Sequence, residues 1–424
     1  MRFLIAVWLA ALCLALPLGL RAEDDWHTIL HQIGHAVAEA INQSDNYICA
    51  QDLSRFYYTQ VKPEITCRQP PELPAVPMLL QDRLKLDVAV SQGSEIYSWH
   101  GEHKFSASTV GEVVRQGPIS SGSFNGYLRN IFGERGVDFQ FKGRSKSKGI
   151  ELFDFDYQVP LAASHYQIQE GIKGFERTSF HGSFSARTDT FELYSLVVTA
   201  DGETLSPKTH ICAAETSLTY QMVKIADHQS LLPASFDLLI GSRNGVFTES
   251  KGAYSVCHEY KGESTVTFDT DDSAAAAKPA ELQSEPLNTG LVLPIVLRTE
   301  IDEDTAYAGL PVEAVLQHDV KIRKGEKLLR GATLRGTVTE FEIYHLPAHS
   351  VSLKLEFNSI TDGQKLYLCD ATHHVLQNTL QPMGRRGGRI ISMPSGDPAD
   401  GSLLFHVRHL HLSRYDTEFI TVAP

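Results

Sequence analysis

His27, His31 and His35 recur every fourth residue, so on a helix they share one face, and three imidazoles at that spacing could hold a metal ion. The same residues read equally as a solvated face beside the apolar stripe of Ile29, Ile33, Val37 and Ile41, with no evident carboxylate partner. His373 and His374 near Cys369 invite the same idea, as do His406, His409 and His411, of which His409 and His411 would share a strand face. A chain with 18 histidines produces such clusters by chance, so no metal ligand is assigned. Ser145-x-x-Lys148 has the spacing of a serine–lysine nucleophile. It lies in a polar, basic run from Lys142 to Lys148, with no apolar helix to bury the lysine and lower its pKa, and it reads as a charged loop. Gly122 and Gly126 frame Phe124, not a serine, so they make no nucleophile elbow. The chain also lacks H-E-x-x-H, a phosphate-cradling glycine loop before Lys-Ser/Thr, and a dinucleotide fingerprint. No catalytic residue and no cofactor follow from these residues. A hydrolase with an unrecognised site stands third among the functional readings.

The elements that must position these side chains follow from patterning. Residues 1–22 carry Arg2, an apolar run from Phe3 to Leu20, and Ala22 before the acidic Glu23-Asp24-Asp25. That is a secretory signal with cleavage expected after Ala22; an uncleaved anchor is the alternative. The chain of 424 residues has a net charge of −13, with 42% hydrophobic and 21% charged residues. It is long enough for two or three globular domains, and its acidity argues against binding nucleic acid. Export places Cys49, Cys67, Cys212, Cys257 and Cys369 in an oxidising compartment. Cys49 with Cys67, closing a short loop, is the first choice of disulfide, and Cys212 with Cys257 the second. Cys369 is left over, and spacing alone does not fix the connectivity.

Residues 25–43 read as one amphipathic helix. From about Leu53 to Phe268 the period becomes two: Phe153, Phe155, Tyr157 and Val159 alternate with Asp154, Asp156 and Gln158. The acidic pair there reads as the wet outer face of a strand whose inner face is dry. About ten such strands without long helices between them predict an antiparallel meander. One helix interrupts it, with Phe124, Tyr127, Leu128, Ile131 and Phe132 on one face, Ser121 or Ser123 as cap, and Gly133 as stop. The expected fold is mainly β. Residues 23–270 form an antiparallel half-barrel with an N-terminal and an inserted helix, 271–286 a linker, and 287–424 a small β-sandwich or barrel with a mobile loop near 370–400.

Export signal, N-terminal helix, meander and inserted helix together resemble the half-open barrel of the LolA/LolB lipoprotein carriers and RseB-type periplasmic sensors. Stretches such as Asn46-Tyr47-Ile48-Cys49, Gly117-Pro118-Ile119-Ser120 and Cys257-His258-Glu259-Tyr260 resemble uncharacterised secreted proteins of soil bacteria. Leu287-Asn288-Thr289-Gly290-Leu291, with Asn288 where proline is usual, is similar to the opening of the β-domain of TrbI/VirB-type secretion-channel subunits. Gly325 to Gly336 follows in the same order, with Leu329 where that family has proline. These motifs mark a fold and carry no reaction.

A half-barrel has a concave side that must be filled by side chains, a helix or an apolar ligand, because each buried large apolar side chain contributes about 1.5–3 kcal/mol. Phe124, Tyr127, Leu128, Ile131 and Phe132 are therefore candidates for a lid over a ligand; permanent core is the alternative. The first functional expectation is a non-enzymatic envelope protein, periplasmic or secreted, that binds a lipid or lipoprotein segment. The second is a structural or adaptor module that binds an envelope protein.

Overall fold

The computed structural model describes residues 25–43, 46–62, 67, 76–91, 94–101, 105, 110–114, 117–169, 175–202, 204–225, 228–259, 284–287, 291–323, 325–363, 365–368, 389–390, 402–412 and 418–422. The expected export signal, most of the expected 271–286 linker, nearly all of the expected 370–400 loop, Cys369, His373 and His374 lie outside the described residues.

The chain opens with α1 (Trp26–Gln43), as the four-residue apolar period predicts, and buries Ile29, Ile33 and Val37. Then come β1 (Tyr47–Tyr58), β2 (Met78–Ser91), β3 (Ser94–Trp99), the single turn α2 (Val110–Val113), α3 (Gly126–Phe132), β4 (Asp138–Ser147) and β5 (Ile150–Val159). A short hairpin of β6 (Gln167–Ile168) and β7 (Glu176–Arg177) precedes β8 (Phe180–Arg187), β9 (Leu193–Ala200), β10 (Ile211–Ile225), β11 (His228–Ser242) and β12 (Phe247–Glu259). These strands form one antiparallel sheet in the order β4-β5-β8-β9-β10-β11-β12-β1-β2-β3. The last strand returns to the first, so the sheet's two edges are β3 and β4, and among the described residues these do not pair. The result is an open, antiparallel half-barrel.

Alternation decides which face is dry. In β5, Phe153, Phe155, Tyr157 and Val159 are buried, while Asp154 and Asp156 turn outward to the Ser185 hydroxyl (2.7 Å) and the Lys142 ammonium (3.0 Å). Phe155 stacks on Phe184 of β8 at 5.1 Å between centroids. Tyr47, Leu86, Val88, Phe180, Leu196, Leu218 and Phe236 continue this core around the sheet.

A second core is built by β13 (Ser284–Pro286), β14 (Val292–Leu297), β15 (Ile301–Asp302), β16 (Pro311–Leu316), β17 (Val320–Arg323), β18 (Glu326–Leu328), β19 (Thr333–Tyr344) and β20 (Ser350–Asp362). β21 (Lys365–Leu368), β22 (Arg389–Ile390), β23 (Leu403–His406), β24 (His411–Leu412) and β25 (Glu418–Val422) complete it. The central order is β25-β14-β16-β19-β20, and β21 and β23 share the far edge of β20. Leu293, Ile295, Leu334, Val338, Phe341, Leu353, Phe357 and Phe405 fill it. The linker expected to end at residue 286 is already a strand over its last three residues, because β13 pairs in parallel with β21.

The two cores meet along one strand edge. Residues 86–91 of β2 pair with β3, residues 80–82 pair with β19, and between them Lys85 N–H donates to the Ala308 carbonyl (2.9 Å) and Ala308 N–H to that of Arg83 (2.8 Å). The edge of β2 is thus covered from Leu80 to Ser91, which leaves those backbone groups no place to recruit another strand. Arg55 and Asp82 are buried beside this junction as a two-bond pair (2.8 and 2.5 Å).

The expected disulfides form between the expected cysteines but crosswise. Cys49 is bonded to Cys257, and Cys67 to Cys212, with Cα separations of 4.1 and 5.1 Å. Short loop length is overridden by register: β1 lies against β12 with Ile48 opposite His258, which brings Cys49 beside Cys257 across 208 residues of chain.

Candidate ligand-binding site

The connection from β3 to β4 must bridge the two unpaired edges, and it carries α2 and α3. Gly122, at φ +91°, turns the chain into the helix, and Tyr127 N–H reaches back to its carbonyl (3.0 Å). The expected serine cap does not form. Asn125 stands at the N-cap without a side-chain capping hydrogen bond, and the helix starts only at Gly126, so Phe124 precedes it. A carboxylate from the neighbouring edge strand supplies the missing acceptor: Glu95 of β3 takes the N–H groups of Gly122 (2.8 Å) and Phe124 (3.1 Å) and the Tyr97 hydroxyl (2.5 Å). Gly133 does end the helix, its N–H bonding the Arg129 carbonyl at 2.9 Å. The other flank is tied by Asn130, whose amide donates to the Ala163 carbonyl (2.7 Å) and accepts from His165 N–H (2.8 Å).

All five candidate lid residues point into the concave face. Phe124, Tyr127, Leu128 and Ile131 are buried, and Phe132 is half-buried at the margin. Phe124 sits between Tyr47 (5.6 Å) and Tyr254 (4.8 Å, edge-on), Tyr127 faces Tyr166 (6.1 Å), and Phe132 packs on Phe184 (5.1 Å) and on Phe139 of edge strand β4 (6.0 Å). The segment therefore spans the opening, tied to β3 at its start and packed on β4 at its end.

The lining is aromatic with polar tips. Tyr127 Oη and Ser120 Oγ are 2.8 Å apart, Tyr157 donates to the Val197 carbonyl (2.7 Å), Tyr220 to that of Ser123 (3.1 Å), and the Gln51 amide donates to Tyr254 Oη (3.1 Å). Burial pushes the phenols of Tyr97, Tyr127, Tyr157, Tyr166, Tyr220 and Tyr254 above their ordinary range, so they stay neutral. Glu95, Asn130 and Tyr254 were not singled out from the sequence, and Tyr47 only as part of the Asn46–Cys49 stretch. Their roles arise from pairing between distant strands, which no local spacing encodes.

The remaining candidates fall elsewhere. His27, His31 and His35 lie exposed along α1. The basic run from Lys142 is not the expected loop: Lys142 to Ser147 belong to β4, where Ser145 lies exposed opposite Leu152, because they pair with β5, and only Lys148 sits at the β4–β5 turn, exposed and at φ 48°. His409 and His411 do converge, on the carboxylate of Asp302 at 3.3 and 2.9 Å. No helix among the described residues is long and apolar enough to cross a membrane.

No family model matches the chain, and no curated protein matches it. Among solved structures it is similar to a DUF1329 family protein from Desulfovibrio piger, at 11% identity and a TM-score of 0.25, over 56% of this chain and 95% of that one. It is also similar to the lipoprotein LppX of Mycobacterium tuberculosis, at 8% identity and a TM-score of 0.20, over 54% of this chain and 94% of that one. Likeness of this degree transfers neither a fold nor a function, so the chain's own geometry has to carry the functional reading.

Proposed function

We propose that the protein is a non-enzymatic, exported envelope protein whose half-barrel holds an apolar ligand, a lipid or a lipoprotein segment, with residues 122–133 as the movable wall. The observation that carries this reading is the placement of that wall. It covers the one side of the sheet where no strand pairing closes the barrel, and it fills the space behind with aromatic and aliphatic side chains. A seven-residue helix is too short to be stable by itself, so its position depends on Glu95, Asn130 and that burial. Displacing it exposes a surface of tyrosine and phenylalanine rings suited to an acyl chain, with phenol and amide tips to meet a polar end. The two disulfides support residence in an oxidising compartment.

The test is native mass spectrometry of protein purified from an exporting host, followed by titration of the delipidated protein with a fluorescent fatty acid. One saturable site is expected. Glu95→Ala removes the acceptor of two backbone N–H groups, and charge-assisted bonds of about 1.5–3 kcal/mol each imply probe exchange faster by about 100-fold or more. Absence of both a co-purified mass and saturable binding, in the native chain and in Glu95→Ala, refutes the carrier reading and leaves the adaptor.

A further inference from the structure

Across the second core, a turn and a returning strand bring together nitrogen and oxygen donors that are 107 residues apart in sequence. Asp302 of β15 lies opposite His411 of β24 in an antiparallel pair. Its Oδ1 accepts from Asp304 N–H (2.9 Å), and the 302–306 turn closes with the Ala306 N–H on the Asp302 carbonyl (2.8 Å). That leaves Oδ2 facing two imidazoles, Nε2 of His409 at 3.3 Å and Nδ1 of His411 at 2.9 Å. One donor atom each of Asp302, Asp304 and His409 all lie within 4.8 Å of one another. The surroundings are held firmly. Glu303, buried next to Asp302, accepts from Leu410 N–H (2.8 Å) and lies 2.9 Å from His349 Nε2, and Arg83 of β2 donates to the Glu303 and Asp304 carbonyls.

From this geometry we infer a binding site for a zinc-class divalent cation, held by Asp302, Asp304 and His409 with His411 as fourth donor. Bonds of about 2.0–2.2 Å around a tetrahedral ion set neighbouring donors about 3.4 Å apart. The two nitrogen–oxygen separations at Asp302 are already near that edge length, and the rest closes by side-chain rotation of Asp304, exposed on the turn, and of His411, which lies outside the three-residue group within 4.8 Å. Two imidazoles with two carboxylates suit zinc, cobalt or nickel better than the all-oxygen preference of magnesium or calcium. The local charge favours a cation: among the described residues, no lysine or arginine is ion-paired with Glu300, Asp302 or Asp304, and Arg83 bonds only carbonyls there. His409 and His411 are each close to half exposed, so an ion can reach them from solvent. Such an ion cross-links the 302–304 turn to the 409–411 segment that enters β24, and through Arg83 and Ala308 it stiffens the contact with β2.

The test uses the full chain after chelation and desalting, titrated with zinc chloride by calorimetry and with cobalt chloride by visible absorption. One equivalent of zinc is expected, with intense d–d bands in the cobalt form. Asp302→Asn, Asp304→Ala and His409→Ala should each weaken zinc by about tenfold or more, since even groups that only orient metal ligands carry 10- to 100-fold in affinity. His31→Ala should change nothing. Circular dichroism checks that the variants stay folded, and Asp304→Ala removes a carboxylate that makes no side-chain hydrogen bond or salt bridge among the described residues. The assignment is overturned if the native chain takes up no zinc, or if affinity follows His31 and ignores His409, which would place the metal on the exposed face of α1.

Discussion

Glu342 of β19 offers a measurement of how the two cores are joined. It lies opposite Asp82 of β2, and its carboxylate accepts the Tyr344 hydroxyl at 2.6 Å. Burial pushes its pKa up from the ordinary 4.5 to about 7; the Tyr344 bond opposes the rise, and the charges of Glu340 and Asp82 add to it. Between about pH 4.5 and 7 the folded chain keeps a proton that the unfolded chain has released. Stability attributable to this group is therefore greatest below pH 4.5, falls as pH rises, and is lowest above pH 7. The full shift corresponds to about 3 kcal/mol at 1.36 kcal/mol per unit, an upper bound because the carboxylate keeps some contact with water. Glu342→Gln removes the ionisation and keeps an oxygen for Tyr344. Urea unfolding at pH 4, 5.5, 7 and 8.5 should show native and variant nearly equal at pH 4 and the variant more stable by about 2–3 kcal/mol at pH 8.5. Asp237, raised by burial to about 6, adds its own slope of the same sign to both proteins, so their difference isolates Glu342. A variant less stable than the native chain at pH 8.5, or one with an unchanged pH slope, refutes the reasoning.

Two further outcomes follow from packing and connectivity. Non-reducing proteolysis and mass spectrometry should recover peptides joining Cys49 to Cys257 and Cys67 to Cys212, and Cys49→Ser with Cys257→Ser should cost about 4–5 kcal/mol because the bond closes a loop of 208 residues; recovery of Cys49 joined to Cys67 would contradict the strand register. At Gly182 a Cβ would lie 1.9 Å from the Val197 carbonyl oxygen and 2.8 Å from Tyr157 Oη, so Gly182→Ala should force β8 from β9 and cost about 2 kcal/mol or more, read as a fall in Tm.

Much of the fold is legible because period alone determines it. The spacing of Ile29, Ile33 and Val37 marks α1, and the alternation of Phe153, Phe155 and Tyr157 against two aspartates marks β5 and its dry face. The apolar face of α3 is legible too, while its true start is not, because the group that receives the Gly122 and Phe124 N–H bonds is Glu95, on another strand. The disulfide connectivity fails for the same reason: loop length is local information, whereas the β1–β12 register that joins Cys49 to Cys257 depends on closure of the whole sheet. His409 and His411 are visible as a close pair, although only His411 lies on a strand and His409 sits in the bend before it, so the expected shared strand face does not form. Asp302, the carboxylate between them, comes from a turn that only tertiary pairing brings near.

The shared edge of β2 dictates an order of events for a newly made chain. A polypeptide emerging amino end first carries Cys49 for 208 residues before its partner arrives. Even then the stretch from Leu80 to Lys85 stays bare until Ala308 and the end of β19 have followed. Over that interval the nascent sheet exposes a strip able to capture a neighbour's strand, so a product cut short before residue 308 should clump where the complete one does not.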